Sequence, residues 1–444
     1  MILMAPNSLV FLHLSDIHFQ RWSGSSYDID EDLRNELLID ATEVLAKLGQ
    51  PHGILVTGDI AFNGISKEYD FAKKWLTELC EKVGRTLEYV WTVPGNHDVN
   101  REHVQKSPLL AAIHNELRQS ETNAIDGAIS EYLGDDEASK IIFRPISEYN
   151  SFAATFRCEI SPKEPTWQRD FALSDDSTLR INGLNSTMVS DHLDNMEKQV
   201  ILGEYQCPKR SHGVVHLVMC HHPPDWWKDD DSVERMINSR ANIELFGHKH
   251  SQQIDKINST LRLTAGAVHP DRRSPNWKPR YNWLKVSVSG TNAGRKLDVE
   301  VYPRICNEDS KFIPDFNSCS GQDHRLMSLD LKPWTLQPSE KKIPEQESGV
   351  LKSTSTSSPN IELETKMSDP IRILTYRFFG LAHVIRIDIA RELNLLRDED
   401  EGLEDYELFT RILTRAAKEN LLEKLWDIIE KQHGDEKYVS NPFK

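Results

Sequence analysis

The 444-residue chain lacks three features that would each have assigned it to a class of protein. It contains no run of about 18 apolar residues, so no segment is predicted to span a bilayer. Its six cysteines are scattered singly, without a Cys-x-x-Cys pair, which excludes a disulfide-rich secreted scaffold and predicts reduced thiols. Basic residues form no cluster and the formal net charge is −16, so long nucleic acid is disfavoured as a ligand, although not excluded.

The amino-terminal segment also lacks the marks of a secretory signal. Residues 1–8 carry no basic region, and the apolar residues 9–14 lead into Asp16 instead of a small-residue cleavage site. We therefore expect a cytoplasmic protein. Because the chain is longer than the roughly 250–300 residues at which a single hydrophobic core stops growing, we also expect a large domain and a smaller one.

Short apolar runs rich in β-branched residues predict the strands of an α/β protein: residues 9–14, 54–57, 87–93, 214–220 and 243–246. Amphipathic helical patterns separate the first three runs, which gives the order strand, helix, strand. Polar clusters follow these strands, and ligands of open α/β sheets bind beyond the carboxyl ends of strands. Three later runs, at residues 262–265, 283–288 and 297–301, are predicted strands of a second sheet layer.

The same patterns divide the chain into domains. The main domain is predicted over residues 8–306, with a helical insertion at about 101–156 that we expect to form a cap beside the site. An extension follows at 307–336. Residues 337–368 are rich in Ser, Thr, Lys and Glu and are predicted to be a flexible linker. Residues 369–435 carry apolar stripes at helical spacing, which predicts a small all-α domain.

Five polar clusters carry the chemistry, and they are Asp16-Ile17-His18, Gly58-Asp59-Ile60-Ala61-Phe62-Asn63-Gly64, Gly95-Asn96-His97-Asp98, His221-His222-Pro223-Pro224 and Gly247-His248-Lys249-His250. Alternate residues of an extended segment point the same way, so Asp16 with His18, and His248 with His250, can each present two metal ligands. Carboxylate, imidazole and amide ligands together favour a transition metal over calcium. The candidate ligands are too many for one tetrahedral zinc, which predicts two ions sharing a carboxylate such as Asp59.

Over about residues 9–301 these clusters resemble the signature of calcineurin-like metallophosphoesterases. The pair of histidines and prolines at 221–224 is similar to the branch that contains bacterial cyclic-nucleotide phosphodiesterases. The resemblance implies a layered β-sandwich flanked by helices. Its implied metal ligands are Asp16, His18 and His250 for one ion, Asn96, His221 and His248 for the other, and Asp59 as the bridge between them.

The resemblance also implies an activity, the hydrolysis of a phosphate ester by in-line attack of a hydroxide that bridges two Mn, Fe, Zn or Co ions. It implies that His97 binds no metal and assists the leaving group. A phosphodiester is the expected substrate, with a cyclic nucleotide as first candidate and a phosphomonoester or nucleic acid behind it. The family's His-x-Pro spacing selects His221 as the ligand, so His222 and Asp98 are expected to support ligands or face the substrate.

Two alternatives stay open at this point. The helical carboxyl-terminal domain resembles adaptor domains of bacterial multidomain signalling and conflict systems, including effector-associated and death-like modules, which implies a protein partner or self-association. The chain could therefore be an interaction protein in which the metal-binding fold is only structural.

Trp226 and Trp227 could either stack on a base in the cleft or pack within a loop.

Overall fold

The computed structural model describes residues 7–20, 30–194, 196–269, 278–334, 360–433 and 440–444, and the side chains of 360–369 are outside the description. Its strands, in chain order, are β1 (Leu9–Leu14), β2 (Gly53–Val56), β3 (Val90–Thr92), β4 (Trp167–Ala172), β5 (Thr178–Gly183), β6 (Val214–Cys220), β7 (Ala241–Phe246), β8 (Gln253–Ile257), β9 (Thr260–Thr264), β10 (Arg280–Ser289), β11 (Lys296–Cys306), β12 (Phe312–Pro314) and β13 (Arg325–Asp330). Its α-helices are α1 (Glu31–Leu48), α2 (Ser66–Lys82), α3 (Arg101–Gln105), α4 (Pro108–Gln119), α5 (Ile125–Gly134), α6 (Asp136–Phe143), α7 (Ser147–Ala153), α8 (Asp230–Asn238), α9 (Asn360–Phe379), α10 (His383–Glu392), α11 (Asp405–Lys418) and α12 (Leu422–His433).

The strands form two sheets. The first has the order β12-β11-β10-β1-β2-β3, with β13 also paired to β11, and the second has the order β4-β5-β6-β7-β9-β8. In the first sheet β1, β2 and β3 are parallel, and in the second β5, β6, β7 and β9 are parallel. Every residue of β1 and β2 is buried, as expected for parallel strands covered on both faces.

Apolar side chains from both sheets meet in one core. Phe11 and Trp283 of the first sheet and Leu217 and Leu245 of the second belong to the same buried cluster. Two sheets that share a core and are flanked by helices confirm the predicted fold class, a layered α/β protein with a small all-α domain at its carboxyl end.

The structure corrects several strand predictions. Of the runs assigned to a second sheet layer, only residues 262–265 overlap a strand of the second sheet, β9; those at 283–288 and 297–301 are β10 and β11 of the first sheet. Periodicity reports that a segment is a strand but not which partner it pairs with, and here β10 pairs antiparallel with β1. Residues 87–89 form a 3₁₀ turn before β3, so that strand is shorter than predicted.

Helices α3 to α7 fill the region predicted to be a helical cap. The start of α4 shows how local sequence sets such boundaries: the Ser107 hydroxyl accepts a hydrogen bond from the Leu110 N–H at 3.2 Å, and Pro108 occupies the first helical position. Leu110, Ile113 and Leu117 form the buried stripe of the helix. That this region caps the site stays a prediction. None of the described helices is both long and apolar enough to cross a membrane.

Helices α9 to α12 enclose a hydrophobic core of their own. Phe378, Phe409 and Trp426 are its largest fully buried members, and Ile412 and Leu425 are buried beside them. Helix α9 begins within residues 337–368, the predicted linker, whose residues up to 359 lie outside the described part of the chain.

The helical domain also contacts the larger one. Arg372 of α9 donates hydrogen bonds to the carbonyl oxygens of Glu88 at 2.7 Å and Val90 at 2.9 Å, and its guanidinium carbon lies 4.7 Å from the centroid of the Trp91 ring. On α11, the Thr410 hydroxyl lies 3.0 Å from a carboxylate oxygen of Glu159. Since Arg372 is only 5% exposed, a charged group is buried where α9 meets the start of β3.

Candidate metal centre

The predicted ligands follow the carboxyl ends of parallel strands, where the two sheets bring them together. By strand they are Asp16 and His18 after β1, Asp59 after β2, Asn96 after β3, His221 after β6, and His248 and His250 after β7. The carboxyl ends of parallel strands lie at the same edge of a sheet, so residues distant in the chain converge there.

Backbone hydrogen bonds hold the connecting loops against one another. The N–H of Asp16 donates to the Gly58 carbonyl at 3.1 Å, and that of His18 donates to the Asp59 carbonyl at 3.0 Å. In the second sheet the Gly247 N–H donates to the His221 carbonyl at 2.9 Å. The side chains of the site are therefore presented by a network of bonded loops and not by freely moving segments.

Asp16, His18 and His250 form the first group of side chains. The distance between His250 Nε2 and Asp16 Oδ1 is 3.2 Å, and that between His18 Nε2 and the same oxygen is 4.0 Å. The two imidazoles approach each other to 3.4 Å between their Nε2 atoms. One carboxylate and two imidazoles thus point at a common position, as the ligands of one cation would.

Asn96, His221 and His248 form the second group. The amide oxygen of Asn96 lies 3.1 Å from His221 Nε2 and 3.0 Å from His248 Nδ1. The other nitrogen of His221 donates to the Thr57 carbonyl at 2.8 Å, which fixes the ring and leaves Nε2 facing the group. A ligating imidazole is commonly oriented in this way by a hydrogen bond to its second nitrogen.

Asp59 lies between the two groups. Its Oδ2 is 3.9 Å from His18 Nε2 on one side and 3.4 Å from His221 Nε2 on the other. Its second oxygen, Oδ1, accepts the backbone N–H of His97 at 2.8 Å, so the carboxylate cannot rotate freely. The side chain is therefore fixed in a position from which one oxygen can reach both groups.

Backbone strain is concentrated on the same residues. Five of them have φ angles in the left-handed region, which residues other than glycine seldom adopt. They are Asp16 (53°), His18 (52°), Asp59 (52°), His248 (68°) and His250 (54°). Such conformations cost on the order of 1–3 kcal/mol each and cluster at functional sites. Five strained residues in one place indicate a site whose geometry matters more than its local stability.

The donor chemistry fits transition-metal ions. Groups of three His or Asp side chains have ligand atoms within 4.8 Å of one another, and among the described residues they include Asp16, His18 and His250, as well as Asp16, Asp59 and His221. His18 Nδ1 and His222 Nε2 are buried without a hydrogen-bond partner in the structure. Mixed nitrogen and oxygen donors suit Mn, Fe, Co or Zn better than calcium.

Burial and charge set the protonation of the imidazoles. Burial lowers the pKa of His18 and of His248 to about 3, so both are neutral at pH 7 and have a lone pair for a metal. Burial acts in the same direction on His221, but the carboxylates of Asp59 and Asp16 outweigh it and raise the pKa of His221 to about 9. A cation that binds beside Asp59 would therefore displace a proton from His221.

Two glycines allow the loops to approach this closely. A Cβ atom on Gly95 would lie 2.2 Å from Asp59 Oδ1, and one on Gly58 would lie 2.7 Å from His221 Nδ1. Gly58 also has a φ of +85°, which strains any other residue. Neither position has room for a methyl group unless Asp59 or His221 moves.

His97 lies at the edge of the first group. Its ring centroid is 4.8 Å from that of His18, and its Nδ1 lies 2.7 Å from the carbonyl oxygen of Phe62. A carbonyl only accepts hydrogen bonds, so Nδ1 carries a proton and Nε2 is the nitrogen free to exchange one. His97 is only partly buried, which leaves the ring accessible to a substrate.

Asp98 is a buried support for the loops. Its carboxylate accepts the N–H groups of Gly95 at 2.9 Å and Ala61 at 2.9 Å and the Tyr69 hydroxyl at 3.0 Å. Burial and the nearby Asp59 charge raise the pKa of Asp98, whereas these donors favour its ionised form. The side chain joins the loop after β2 to the loop after β3, and so fixes Asp59 relative to the turn that follows Gly95.

His222 faces the second group from behind His248. Its backbone N–H lies 3.3 Å from the Ser186 hydroxyl oxygen, and that hydroxyl lies 2.8 Å from His222 Nδ1. A hydroxyl oxygen can accept two hydrogen bonds as well as donate one, so the neutral ring can carry its proton on either nitrogen while keeping the contact with Ser186. Burial and the neighbouring His248 hold the pKa of His222 well below its usual range.

Comparison with known proteins assigns this centre to a family. The profile of the calcineurin-like phosphoesterases matches residues 9–252, more than half of the chain. The chain belongs to this family. The resemblance recognised in the five clusters is thereby confirmed, and calcineurin-like phosphoesterases normally use divalent metals, in agreement with the donor set described above.

Individual relatives are more distant. The chain is similar to the uncharacterized metallophosphoesterase-like protein YydB of Bacillus subtilis (strain 168), with 32% identity over 123 residues, 26% of this chain and 24% of that protein. It thus spans about a quarter of this relative's length. Among solved structures, an uncharacterized protein of Streptococcus pneumoniae TIGR4 matches with a TM-score of 0.28 and 10% identity, covering 73% of this chain and 99% of that one. Vacuolar Protein Sorting 29 of Cryptosporidium parvum matches with a TM-score of 0.31 and 12% identity, covering 73% and 100%. Scores this low carry no inference.

The carboxyl-terminal helices match a second family. The profile of the GTPase-associated adaptor domain covers residues 370–431. The prediction of an adaptor-like helical domain after the calcineurin-like phosphoesterase domain is therefore confirmed.

Sequence reasoning missed Ser186, assigned no role to Phe62 within the second cluster, and left Trp226 and Trp227 undecided. Ser186 follows β5, a strand that the sequence analysis missed, so nothing connected it with His222. Phe62 packs against His97 with ring centroids 5.0 Å apart, and its position depends on how the loop after β2 folds back. Trp227 is fully buried and packs against Phe246 of β7 with ring centroids 5.8 Å apart, whereas Trp226 lies 4.8 Å from the His248 ring and reaches the cleft.

Proposed function

We propose that this calcineurin-like phosphoesterase hydrolyses a phosphodiester, with a cyclic nucleotide as the first candidate, using two divalent transition-metal ions. The position of Asp59 carries the proposal. A carboxylate within 4 Å of imidazoles from both groups is where a ligand shared by two ions would lie. The metal, Mn, Fe, Zn or Co, is not specified by these donors.

The ligand assignment follows from the two groups of side chains. Asp16, His18 and His250 would hold one ion, Asn96, His221 and His248 would hold the other, and Asp59 would contact both. When bound, such ions supply Lewis acidity, which lowers the pKa of coordinated water and offsets the negative charge of the phosphate. Asp98 and the hydrogen bond that His221 donates to the Thr57 carbonyl would keep the ligands in position.

His97 would deliver a proton to the leaving group. Its Nδ1–H donates a hydrogen bond to the Phe62 carbonyl, so Nε2 is the atom that would hold the transferable proton. A general acid of this kind contributes about 10²–10⁴-fold to a rate. His222 Nε2 is buried and has no partner in the structure, and in the Nε2–H tautomer it would donate a hydrogen bond to an oxygen of the substrate phosphate.

Metal content and turnover of two variants test the proposal. We expect the parent protein with added Mn²⁺ to hydrolyse bis(4-nitrophenyl) phosphate and Asn96→Ala to lose metal and activity together. His97→Asn should keep its metal, while its kcat for an ester with an alkoxide leaving group, such as cyclic AMP, falls by about 10²–10⁴-fold. His192→Asn is the matched control, because the side chain of His192 is 82% exposed.

The outcomes separate the parts of the proposal. Unchanged metal content and turnover in Asn96→Ala would show that the ligand assignment is wrong. A parent that binds metal but hydrolyses no ester in a panel of cyclic nucleotides, dinucleotides, phosphomonoesters and single-stranded DNA would leave the chain as an interaction protein. Preference within that panel would decide between a phosphodiesterase, a phosphomonoesterase and a nuclease.

We further propose that residues 370–431 bind a protein partner or a second copy of the chain, which the match to an adaptor family supports. Val384 on α10 is 67% exposed and is suited to a test. Full-length Val384→Asp that keeps the same self-association in sedimentation, and the same co-purified proteins, would count against a role for this helix.

A further inference from the structure

We propose that Lys249 determines specificity by recognising a second anionic group of the substrate, next to the phosphate that is cleaved. This inference rests on the proposed phosphoesterase function. Lys249 lies between His248 and His250, and its side chain had no assigned role. The residue is basic in a chain whose net charge is −16, at a site that must attract an anion.

The lysine side chain is held on one side of the centre. Its ammonium group forms an ion pair with Asp225 and lies 5.4 Å from the centroid of the Trp226 ring. The Trp226 ring contacts His248 edge to face at 4.8 Å, and its indole N–H donates to the Asp194 carbonyl at 3.0 Å. An anchored ring thus positions the ammonium group on the side of the second ligand group.

The opposite side of the centre is different. There Phe62 packs against His97, which would serve the leaving group, and Phe62 is 36% exposed. A substrate that lies across both groups would therefore meet an apolar ring at one end and a cation at the other. Two metal ions held by the ligand groups would compensate the charge of the cleaved phosphate, which leaves the lysine available for another anionic group.

Asp225 can be displaced by such a group. The Asp225 side chain is 54% exposed and that of Lys249 is 22% exposed, and an ion pair with a solvent-exposed partner is weak because water and salt screen it. An incoming phosphate can therefore take the place of Asp225 at little cost. The class of substrate that fits is a nucleotide with two phosphate groups, such as a cyclic dinucleotide, in preference to a cyclic mononucleotide with one.

Binding constants test the inference independently of turnover. The Kd values of cyclic di-AMP and cyclic AMP would be measured with Mn²⁺ for the His97→Asn protein and for the same protein with Lys249→Met added. The quantity compared is the ratio of the Kd of cyclic di-AMP to the Kd of cyclic AMP. We expect Lys249→Met to weaken the dinucleotide about tenfold more than the mononucleotide, since a charge-assisted hydrogen bond contributes about 1.5–3 kcal/mol. Asp225→Asn should shift the same ratio in the opposite direction, because it frees the ammonium group.

The control removes one positive charge elsewhere: Lys424→Met, on the exposed surface of α12, should leave the ratio unchanged. If the ratio of the two Kd values is the same with and without Lys249→Met, the inference is overturned, even if the parent hydrolyses esters. A parent without any metal-dependent turnover would instead refute the proposed function, while the two binding constants would still decide the role of Lys249.

Discussion

Replacing Arg372 with methionine should separate the helical domain from the phosphoesterase domain. The guanidinium donates to two backbone carbonyls, those of Glu88 and Val90, and stacks on Trp91. Hydrogen bonds to a charged group contribute about 1.5–3 kcal/mol each, and a buried carbonyl left without a donor costs about 1–3 kcal/mol. Part of that loss is recovered because methionine needs no desolvation of charge. We therefore expect a net destabilisation of about 2–4 kcal/mol at this contact.

Calorimetry of the full-length variant measures the effect. We expect Arg372→Met to lower the temperature of the first unfolding transition and to separate the unfolding of α9–α12 from that of the sheets. Arg391→Met is the matched control, because the Arg391 side chain is 67% exposed and pairs with Asp388 across one helical turn. If both variants unfold like the parent protein, the contact of Arg372 with β3 contributes nothing and the reasoning fails.

Two further predictions concern the metal centre and the segment after β5, where Asp191 pairs with Arg118 of α4. Gly95→Ala should reduce bound Mn²⁺, because its Cβ would lie 2.2 Å from Asp59 Oδ1; Gly127→Ala, which has open space around it, is the control, and equal metal content in both would contradict the expectation. Asp191 forms an ion pair with Arg118 at 2.6 Å, and the contribution of this pair to the free energy of unfolding should depend on pH. Burial alone would raise the pKa of Asp191, but hydrogen bonds from His114 and Arg118 lower it. Its contribution is therefore complete above the unfolded pKa of about 4 and is lost as the pH falls through the lowered folded value. The difference in unfolding free energy between the parent and Asp191→Asn, from urea denaturation, should be greatest at pH 7 and shrink towards pH 3; a constant difference would contradict the assignment.

The chemistry of the centre was accessible from the sequence because metal binding restricts the choice of residues. Few side chains can hold a transition metal, so the clusters around Asp16, Asp59, Asn96, His221 and His248 stand out without any structure. The strands before them were accessible for a related reason. Parallel strands buried on both faces are continuous apolar runs, and the bounds predicted for β1 and β6 agree with those observed.

Half-buried and long-range features were decided by the tertiary structure. Strand β4 has one buried residue, three partly buried ones in succession and two exposed ones, so its apolar pattern is weak, and Ser186 after β5 was missed along with it. The pairing of β10 with β1, the contact of Arg372 with β3 and the position of Lys249 beside Trp226 depend on partners far away in the chain. Local patterns carry residue type and periodicity, whereas the partner of each side chain is chosen only when the whole core packs.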